Sequence, residues 1–209
     1  MDKIRTMSRL FPYLKNKEEI LKLAIDEESI KYITIREYAD KITDIVKFHC
    51  GTKDVIIIDS TAGVGGNTIS FSKNFKYVYA IELDKLRAQY LENNVNIYGA
   101  KNVKVINGDC KDFFADICDY NVIFIDPPWQ NGLDDSYKKY TNLRLFLGSS
   151  PIETICNDLM SGKYNKKPNI IVLKLPKNYD LSYFYKSIIN NKNIYYYDLK
   201  KMIILVIVV

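Results

Sequence analysis

Apolar positions along this chain switch between two periods. Thr34-Ile35-Arg36-Glu37 has the form of a capping box, and behind it Tyr38, Ile42, Ile45 and Val46 share one helical face, which predicts a helix through about Phe48. Beyond it Val55-Ile56-Ile57-Ile58-Asp59 is a continuous apolar run that ends in a carboxylate and a glycine-rich turn. A helix over Gly66–Lys73, a strand over Tyr77–Ile81 and a helix over Lys85–Tyr98 follow. Strands over Val103–Ile106 and Asn121–Ile125 then flank a short helix over Asp112–Cys118. A helix over Pro151–Met160, a strand over Asn169–Leu173 and a helix over Asp180–Ile189 continue the alternation. Strands and helices at this spacing predict an α/β domain with a mostly parallel sheet covered on both faces. Ile194–Leu199 and Met202–Val209 are linked only at Lys200-Lys201, too short for a helical crossover, so an antiparallel hairpin is predicted. Its second strand is apolar throughout and reads as buried on both faces.

Two stretches lack such a pattern. Met1–Lys15 is basic and mixed, with Pro12 inside it, and reads as an arm or loop; Asn16 and Glu19 then open a short capped helix through Ile25. Gln130–Ser150 is polar and turn-rich and reads as a loop over strand ends. The expected organisation is an N-terminal arm and helical extension over 1–48 and a core over 49–209, forming one domain without repeats.

Composition changes this picture little. A net charge of +5 and a pI near 8.8 permit a polyanionic partner without requiring one. Cys50, Cys110, Cys118 and Cys156 have no ligand spacing and His49 is the only histidine, so no metal site is expected and free thiols in a reducing compartment are. No secretory segment is read, and Met202–Val209 is far shorter than the roughly 20 residues of a membrane span. A monomer in the cytosol or nucleus, away from membranes, is the default expectation.

Candidate chemistry lies at the strand ends. Asp59-Ser60-Thr61-Ala62-Gly63-Val64-Gly65-Gly66-Asn67-Thr68 fails both the dinucleotide and the P-loop spacing, and Asp59 at its mouth repels a pyrophosphate but suits an ammonium. Glu82, after the second strand, is placed to accept both hydroxyls of a ribose, and Asp109 after the third to accept an adenine amino group. An amino-acid end, a ribose and an adenine without phosphate describe S-adenosylmethionine. Asp126-Pro127-Pro128-Trp129 ends the fourth strand, where two prolines force the chain out of the sheet in a fixed extended shape. The Asp126 carboxylate and the Pro127 carbonyl suit the two hydrogens of an exocyclic amine, and Trp129 offers a face for a base to stack on. Four acidic strand ends together are far more specific than any one of them.

On these residues the chain resembles class I S-adenosylmethionine-dependent methyltransferases with a Rossmann-like fold, and more narrowly the trimethylguanosine synthase family of RNA cap guanine-N2 methyltransferases. The narrower likeness rests on Gly63-Val64-Gly65-Gly66-Asn67-Thr68-Ile69 with Phe71, Asn93-Asn94 with Tyr98-Gly99, Pro127-Pro128-Trp129 and Leu175-Pro176-Lys177-Asn178. The resemblance implies a seven-stranded sheet with a reversed last strand and a short helical extension before the core. It implies Thr34, Asp59, Thr61, Gly63, Gly65, Asn67, Glu82, Asp109, Cys110 and Asp126 at the cofactor. Asp126, Pro127 and Trp129 would be catalytic, Trp129, Pro128 and Asn94 would hold the guanine, and Lys177 would meet the cap phosphates. Methylation of capped RNA to 2,7-dimethyl- or 2,2,7-trimethylguanosine, with S-adenosylhomocysteine as by-product, is the implied activity. Two features depart from the family: its eukaryotic members commonly carry Ser in place of Asp126, and two glycines, a proline and a tyrosine after the Trp, where this chain has Gln130-Asn131-Gly132-Leu133. Tyr137 and Tyr140 are the candidates to replace that tyrosine. Two rival readings share these motifs: methylation of adenine N6, or of guanine N2 in ribosomal or transfer RNA, and a non-catalytic subunit of the same fold that binds RNA or protein.

Overall fold

Helical crossovers between short apolar strands give the first half of the chain its parallel sheet. The structure, a computed structural model, describes residues 3–117, 119–129, 140–189 and 193–209. The chain divides into two compact units, Met1–Phe113 and Phe114–Val209. In the first, β1 (Ile56–Asp59), β2 (Tyr77–Glu82) and β3 (Val103–Asn107) lie in the order β3-β2-β1, with α5 (Gly66–Ser72) and α6 (Lys85–Ile97) as crossovers and a short α7 (Cys110–Phe113) after β3. Both pairings are parallel, and the register sets Asp59 beside Ala80 and Glu82 beside Asn107, so the acidic ends open on one edge.

Four helices precede β1: α1 (Lys3–Leu10), α2 (Lys17–Lys22), α3 (Ser29–Tyr32) and α4 (Arg36–Cys50). The arm expected over Met1–Lys15 carries a helix over Lys3–Leu10. Ile4, Met7, Leu10 and Phe11 recur at helical spacing, and Pro12 comes after the helix and ends it. This apolar face packs with Ile20 and Leu23 against Val64 of the glycine turn and Ile69 of α5. The expected helix after Asn16 is present and capped by the Asn16 side chain, but it stops at Lys22. The capping box at Thr34 does not form: Ile35 is the N-cap of α4, and the Thr34 hydroxyl accepts a hydrogen bond from the Asn67 side chain instead.

In the second unit β4 (Val122–Ile125) pairs parallel with β7 (Ile170–Pro176), which pairs antiparallel with β9 (Met202–Val208). β8 (Ile194–Asp198) completes the predicted hairpin with β9. The fold thus has seven strands of mostly parallel sheet with an antiparallel C-terminal hairpin. Every position of β7 is buried, and β9 is buried through Ile207, as its apolar sequence requires. α8 (Ile152–Ser161) and α9 (Leu181–Ser187) follow the predicted segments closely. A separate two-stranded ladder, β5 (Phe146–Leu147) with β6 (Ser150–Pro151), lies within the stretch read as loop. The helix predicted to end at Cys118 is instead α7, ending at Phe113; Cys118 itself, residues 130–139 of the predicted loop and the candidate Tyr137 lie outside the described residues. Among the described residues no helix is long and apolar enough to cross a membrane.

The packed extension has a measurable consequence. Phe11 is fully buried, so Phe11→Ala is expected to lower the unfolding free energy by about 3–5 kcal/mol in urea denaturation. An unstructured arm would leave the transition where it was.

Candidate functional site

In the first unit the glycine turn is held by its neighbours on every side. Gly65 is the N-cap of α5 at φ +104°, a conformation that side chains rarely adopt, and a Cβ there would lie 2.8 Å from the Leu91 Cδ1. A Cβ on Gly66 would sit 2.8 Å from the Thr34 carbonyl oxygen, so the chain ahead of α4 can approach this helix only over a glycine. Glu82 closes the turn from the side: Oε2 accepts from the Gly63 N–H at 2.7 Å and Oε1 from the Asp84 N–H at 2.9 Å. Burial raises the Glu82 pKa, an effect that these two N–H donors and Arg87 only partly offset. Each oxygen keeps a second lone pair, which a ribose diol can use.

Asp59 is placed differently from the expectation of a carboxylate at the loop's mouth. It is fully buried, and its Oδ2 accepts from the Thr68 hydroxyl at 2.6 Å, so it braces α5 from beneath. Asn67 donates to the Thr34 hydroxyl at 3.0 Å, while its buried Oδ1 meets no donor among the described residues. A buried acceptor without a partner is costly, and an ammonium or a hydroxyl from a ligand would relieve it. This acceptor and Glu82 fit the amino-acid and ribose parts of S-adenosylmethionine. Thr61 is half-buried at the start of the turn. Asp109 receives the Lys111 N–H at 3.0 Å and the Lys111 ammonium at 3.4 Å. Cys110 begins α7, with burial pushing its thiol up to about 12.

Asn94 is a correction. It was expected beside the substrate base, but it is fully buried and its amide is committed to backbone: Oδ1 accepts from the Ala24 N–H at 2.8 Å, and Nδ2 donates to the carbonyls of Ala24 and Val64, each at 2.9 Å. Its neighbour Asn93 donates to the Lys22 carbonyl at 3.1 Å, and the Tyr98 hydroxyl donates to the Pro12 carbonyl. All three therefore fasten the N-terminal helices to α6, and Asn94 reaches the glycine turn as well.

In the second unit the strand register explains the constellation at the end of β4. Ile125 pairs with Leu173, so Asp126 and Lys174 emerge next to one another, and the Lys174 ammonium lies 2.5 Å from the Asp126 Oδ2. Both are withdrawn from water, the lysine side chain 5% exposed and the aspartate 17%. Burial raises the Asp126 pKa, opposed first by the charge of Lys174 and then by its hydrogen bond. The Lys174 ammonium also stands over the Trp129 ring, 4.8 Å from its centroid. Trp129 is half-buried, Pro127 buried and Pro128 exposed. Lys177 lies one turn of chain beyond, ion-paired with Asp198. Tyr140 is exposed, and its carbonyl accepts from the Asn178 side chain at 2.7 Å.

Lys174 was missed in the sequence. The signal was there: a lysine inside the otherwise apolar run Ile170-Ile171-Val172-Leu173-Lys174-Leu175 is buried only if something pairs with it.

With the geometry in place, comparison with known proteins is informative. Residues 54–206 match the sequence profile of the family described as RNA cap guanine-N2 methyltransferase. An uncharacterized protein of Acanthamoeba polyphaga mimivirus is 37% identical over 231 residues, covering 98% of this chain and 86% of that protein. The trimethylguanosine synthase of Schizosaccharomyces pombe is 39% identical over 80 residues, covering 35% of this chain but 33% of the synthase, so the likeness spans only a third of that enzyme. In fold, the chain is similar to an RNA methyltransferase from Salinibacter ruber solved with S-adenosyl-L-homocysteine, with a TM-score of 0.52 at 14% identity over 80% of this chain and 90% of that one.

Were Glu82 to take the ribose hydroxyls of the cofactor, its raised pKa would set the pH dependence of binding. Ribose hydroxyls donate to the ionised carboxylate better than to the protonated one, so binding draws a proton off Glu82. Affinity for S-adenosylmethionine is expected to hold at neutral pH and to fall on acidification, beginning above the ordinary glutamate value of 4.5. Calorimetry across pH checks this, and Glu82→Gln is expected to bind more weakly with a flatter profile. An unchanged profile in that variant would assign the proton to another group.

Proposed function

The chain belongs to the RNA cap guanine-N2 methyltransferase family, and on that premise we propose that it methylates the exocyclic amine of a 7-methylguanosine RNA cap with S-adenosylmethionine. The observation that carries the reading is that Asp126 and Trp129, the sole tryptophan, stand together at the end of β4, both engaged by the Lys174 ammonium. The glycine turn, Asn67 and Glu82 hold the cofactor in the first unit, and Asp126 to Trp129 hold the acceptor base in the second.

Bound S-adenosylmethionine supplies an electrophilic methyl group on a sulfonium. The guanine N2 amine is a weak nucleophile because its lone pair is delocalised into the ring. Asp126 and the Pro127 carbonyl each accept one of its hydrogens, which fixes the nitrogen's orientation and turns its lone pair out of conjugation. Alignment of this kind is the main contribution a protein makes to a transfer between two bound reactants. Once methylated, the amine nitrogen would be acidic, and Asp126, already hydrogen-bonded to it, would take its proton. Trp129 stacks on the base; a 7-methylated guanine is cationic, and a cation–π contribution of about 0.5–2 kcal/mol favours it over guanine. Lys177 serves the cap phosphates by exchanging Asp198 for them, an exchange made inexpensive by the exposure of that ion pair.

A second reading is favoured by Lys174: its ammonium already engages the Trp129 ring, which lessens the advantage of a cationic base. On that reading the acceptor is an uncharged guanine or adenine of uncapped RNA or DNA. Labelled S-adenosylmethionine with 7-methylguanosine cap analogue, uncapped RNA and DNA separates the two. Methylation of the cap analogue is expected, with product mass giving one or two methyl groups; methylation of uncapped substrates alone would overturn the cap assignment. Trp129→Ala is expected to reduce kcat/KM for the cap analogue at least about tenfold, in keeping with a lost stacking contact of about 1–3 kcal/mol, while leaving the cofactor affinity within twofold. Wild-type turnover in that variant would remove Trp129 from the substrate site.

A further inference from the structure

Lys174 is given no role in the transfer itself, yet it is buried and engaged on two sides. It is a lysine 4% exposed on a strand whose other six residues are all buried, Ile170, Ile171, Val172, Leu173, Leu175 and Pro176. Burying an ammonium is expensive unless it is paired, and apolar replacement of a buried ion pair is often neutral or stabilising. Its place in the strand therefore calls for an explanation beyond stability. Its two partners supply one: the Asp126 Oδ2 at 2.5 Å and the Trp129 ring centroid at 4.8 Å are the two groups proposed to meet the acceptor base.

We propose that Lys174 is the positioning residue of the acceptor site, holding Asp126 ionised and fixed in orientation while bracing the Trp129 ring, so that one cation sets both the amine-binding carboxylate and the stacking surface. The proposal rests on the reading that Asp126 holds the acceptor amine, and does not depend on whether that amine belongs to a cap. A carboxylate must be ionised to accept an amine hydrogen, and at this depth burial pushes toward the protonated acid. The charged group that β7 sets against Asp126 is Lys174, whose ammonium also stands over the Trp129 ring. Lys174 thus decides how far into the acid range the site stays competent. An apolar residue in its place would fill the space but leave the carboxylate to neutralise. An opposite charge this close lowers a carboxyl pKa by about 1–3 units, and that is the range over which its removal should act.

The single tryptophan makes the arrangement observable without a substrate, because Trp129 emission responds to the protonation of a carboxylate beside it. In the wild-type protein the pH midpoint of Trp129 fluorescence is expected to coincide with the acid limb of kcat/KM, measured with whichever acceptor of the panel is methylated. Lys174→Gln keeps a hydrogen-bond donor but removes the charge; both midpoints are then expected to rise by about one pH unit or more, giving at least a tenfold loss of kcat/KM on the limb and recovery toward alkaline pH. Lys174→Arg restores the charge and is expected to return both midpoints to their wild-type positions, even where the larger group lowers kcat. A folded Lys174→Gln protein with unmoved midpoints overturns the proposal. If that variant does not fold, the wild-type titration decides: a fluorescence midpoint separate from the activity limb overturns it equally. If no acceptor is methylated, the functional reading fails on its own, and the fluorescence midpoints of wild type, Lys174→Gln and Lys174→Arg still test the coupling of the three side chains.

Discussion

A carboxylate taken out of water must be met by donors, and the architecture at the strand ends follows from how this chain meets that demand. Asp59 is met by the hydroxyl of Thr68, Glu82 by the N–H groups of Gly63 and Asp84, and Asp126 by the ammonium of Lys174. Each pairing also does structural service. The first ties β1 to the helix that follows it, the second fixes the glycine turn against β2, and the third joins the ends of β4 and β7. The same rule holds away from the site, where Glu153 is buried on α8 and held by Arg144 at 3.1 Å and by the Tyr179 hydroxyl at 2.6 Å. Acids at parallel strand ends are affordable because each has its donor, and the donors in turn give the ligand-facing loops their shape.

The N-terminal helices belong to this scheme and are not an appendage to it. Asn93 and Asn94 on α6 and Tyr98 just after it bind the carbonyls of Lys22, Ala24 and Pro12, and Asn94 also binds Val64 within the glycine turn. Thr34 meets Asn67 on the turn's other side, over a glycine that permits the approach. Asn94, which the resemblance implied beside the substrate, is thus occupied with Asn93 and Tyr98 in fastening the extension near the glycine turn. The packing of the first two helices bears on the glycine turn through Val64, which lies in the same apolar cluster as Met7, Leu10 and Ile20.

Much of this was legible in the sequence, for reasons that differ by element. β7 and β9 were plain because a strand buried on both faces must be apolar throughout, and the hairpin was plain because two residues cannot bridge parallel strands. Asn16 and Asp180 announced their helices because a side-chain cap is a local interaction. Thr34 misled for the same reason: a long-range partner, Asn67, outcompeted the local cap. The helix at the start of the chain was hidden by Pro12, read as a breaker within it when it stands after its end. Lys174 and Asn94 were missed or misassigned because their partners come from register and tertiary packing, which no local pattern encodes. The acidic strand ends were visible, but whether each faces a ligand or the interior was not, and Asp59 turned inward.

Asp126 is where the chain departs from the serine common in the family's eukaryotic members, and Lys174 gives that departure a physical meaning. A serine at the end of β4 can offer a lone pair to an amine without any charge to compensate. An aspartate offers a stronger acceptor but would be neutralised by burial, losing the advantage, unless a cation stands beside it. The register that aligns Ile125 with Leu173 makes position 174 the nearest place on β7 for that cation. The exchange then has a further effect, since the ammonium also meets the aromatic ring on which the base is proposed to stack. A site built from a neutral hydroxyl and a tryptophan favours a cationic base through the ring alone. In a site built from Asp126, Lys174 and Trp129 the carboxylate and the ammonium are paired, and on the proposed reading Lys174 lessens, without removing, the advantage that a cationic base would take from the ring.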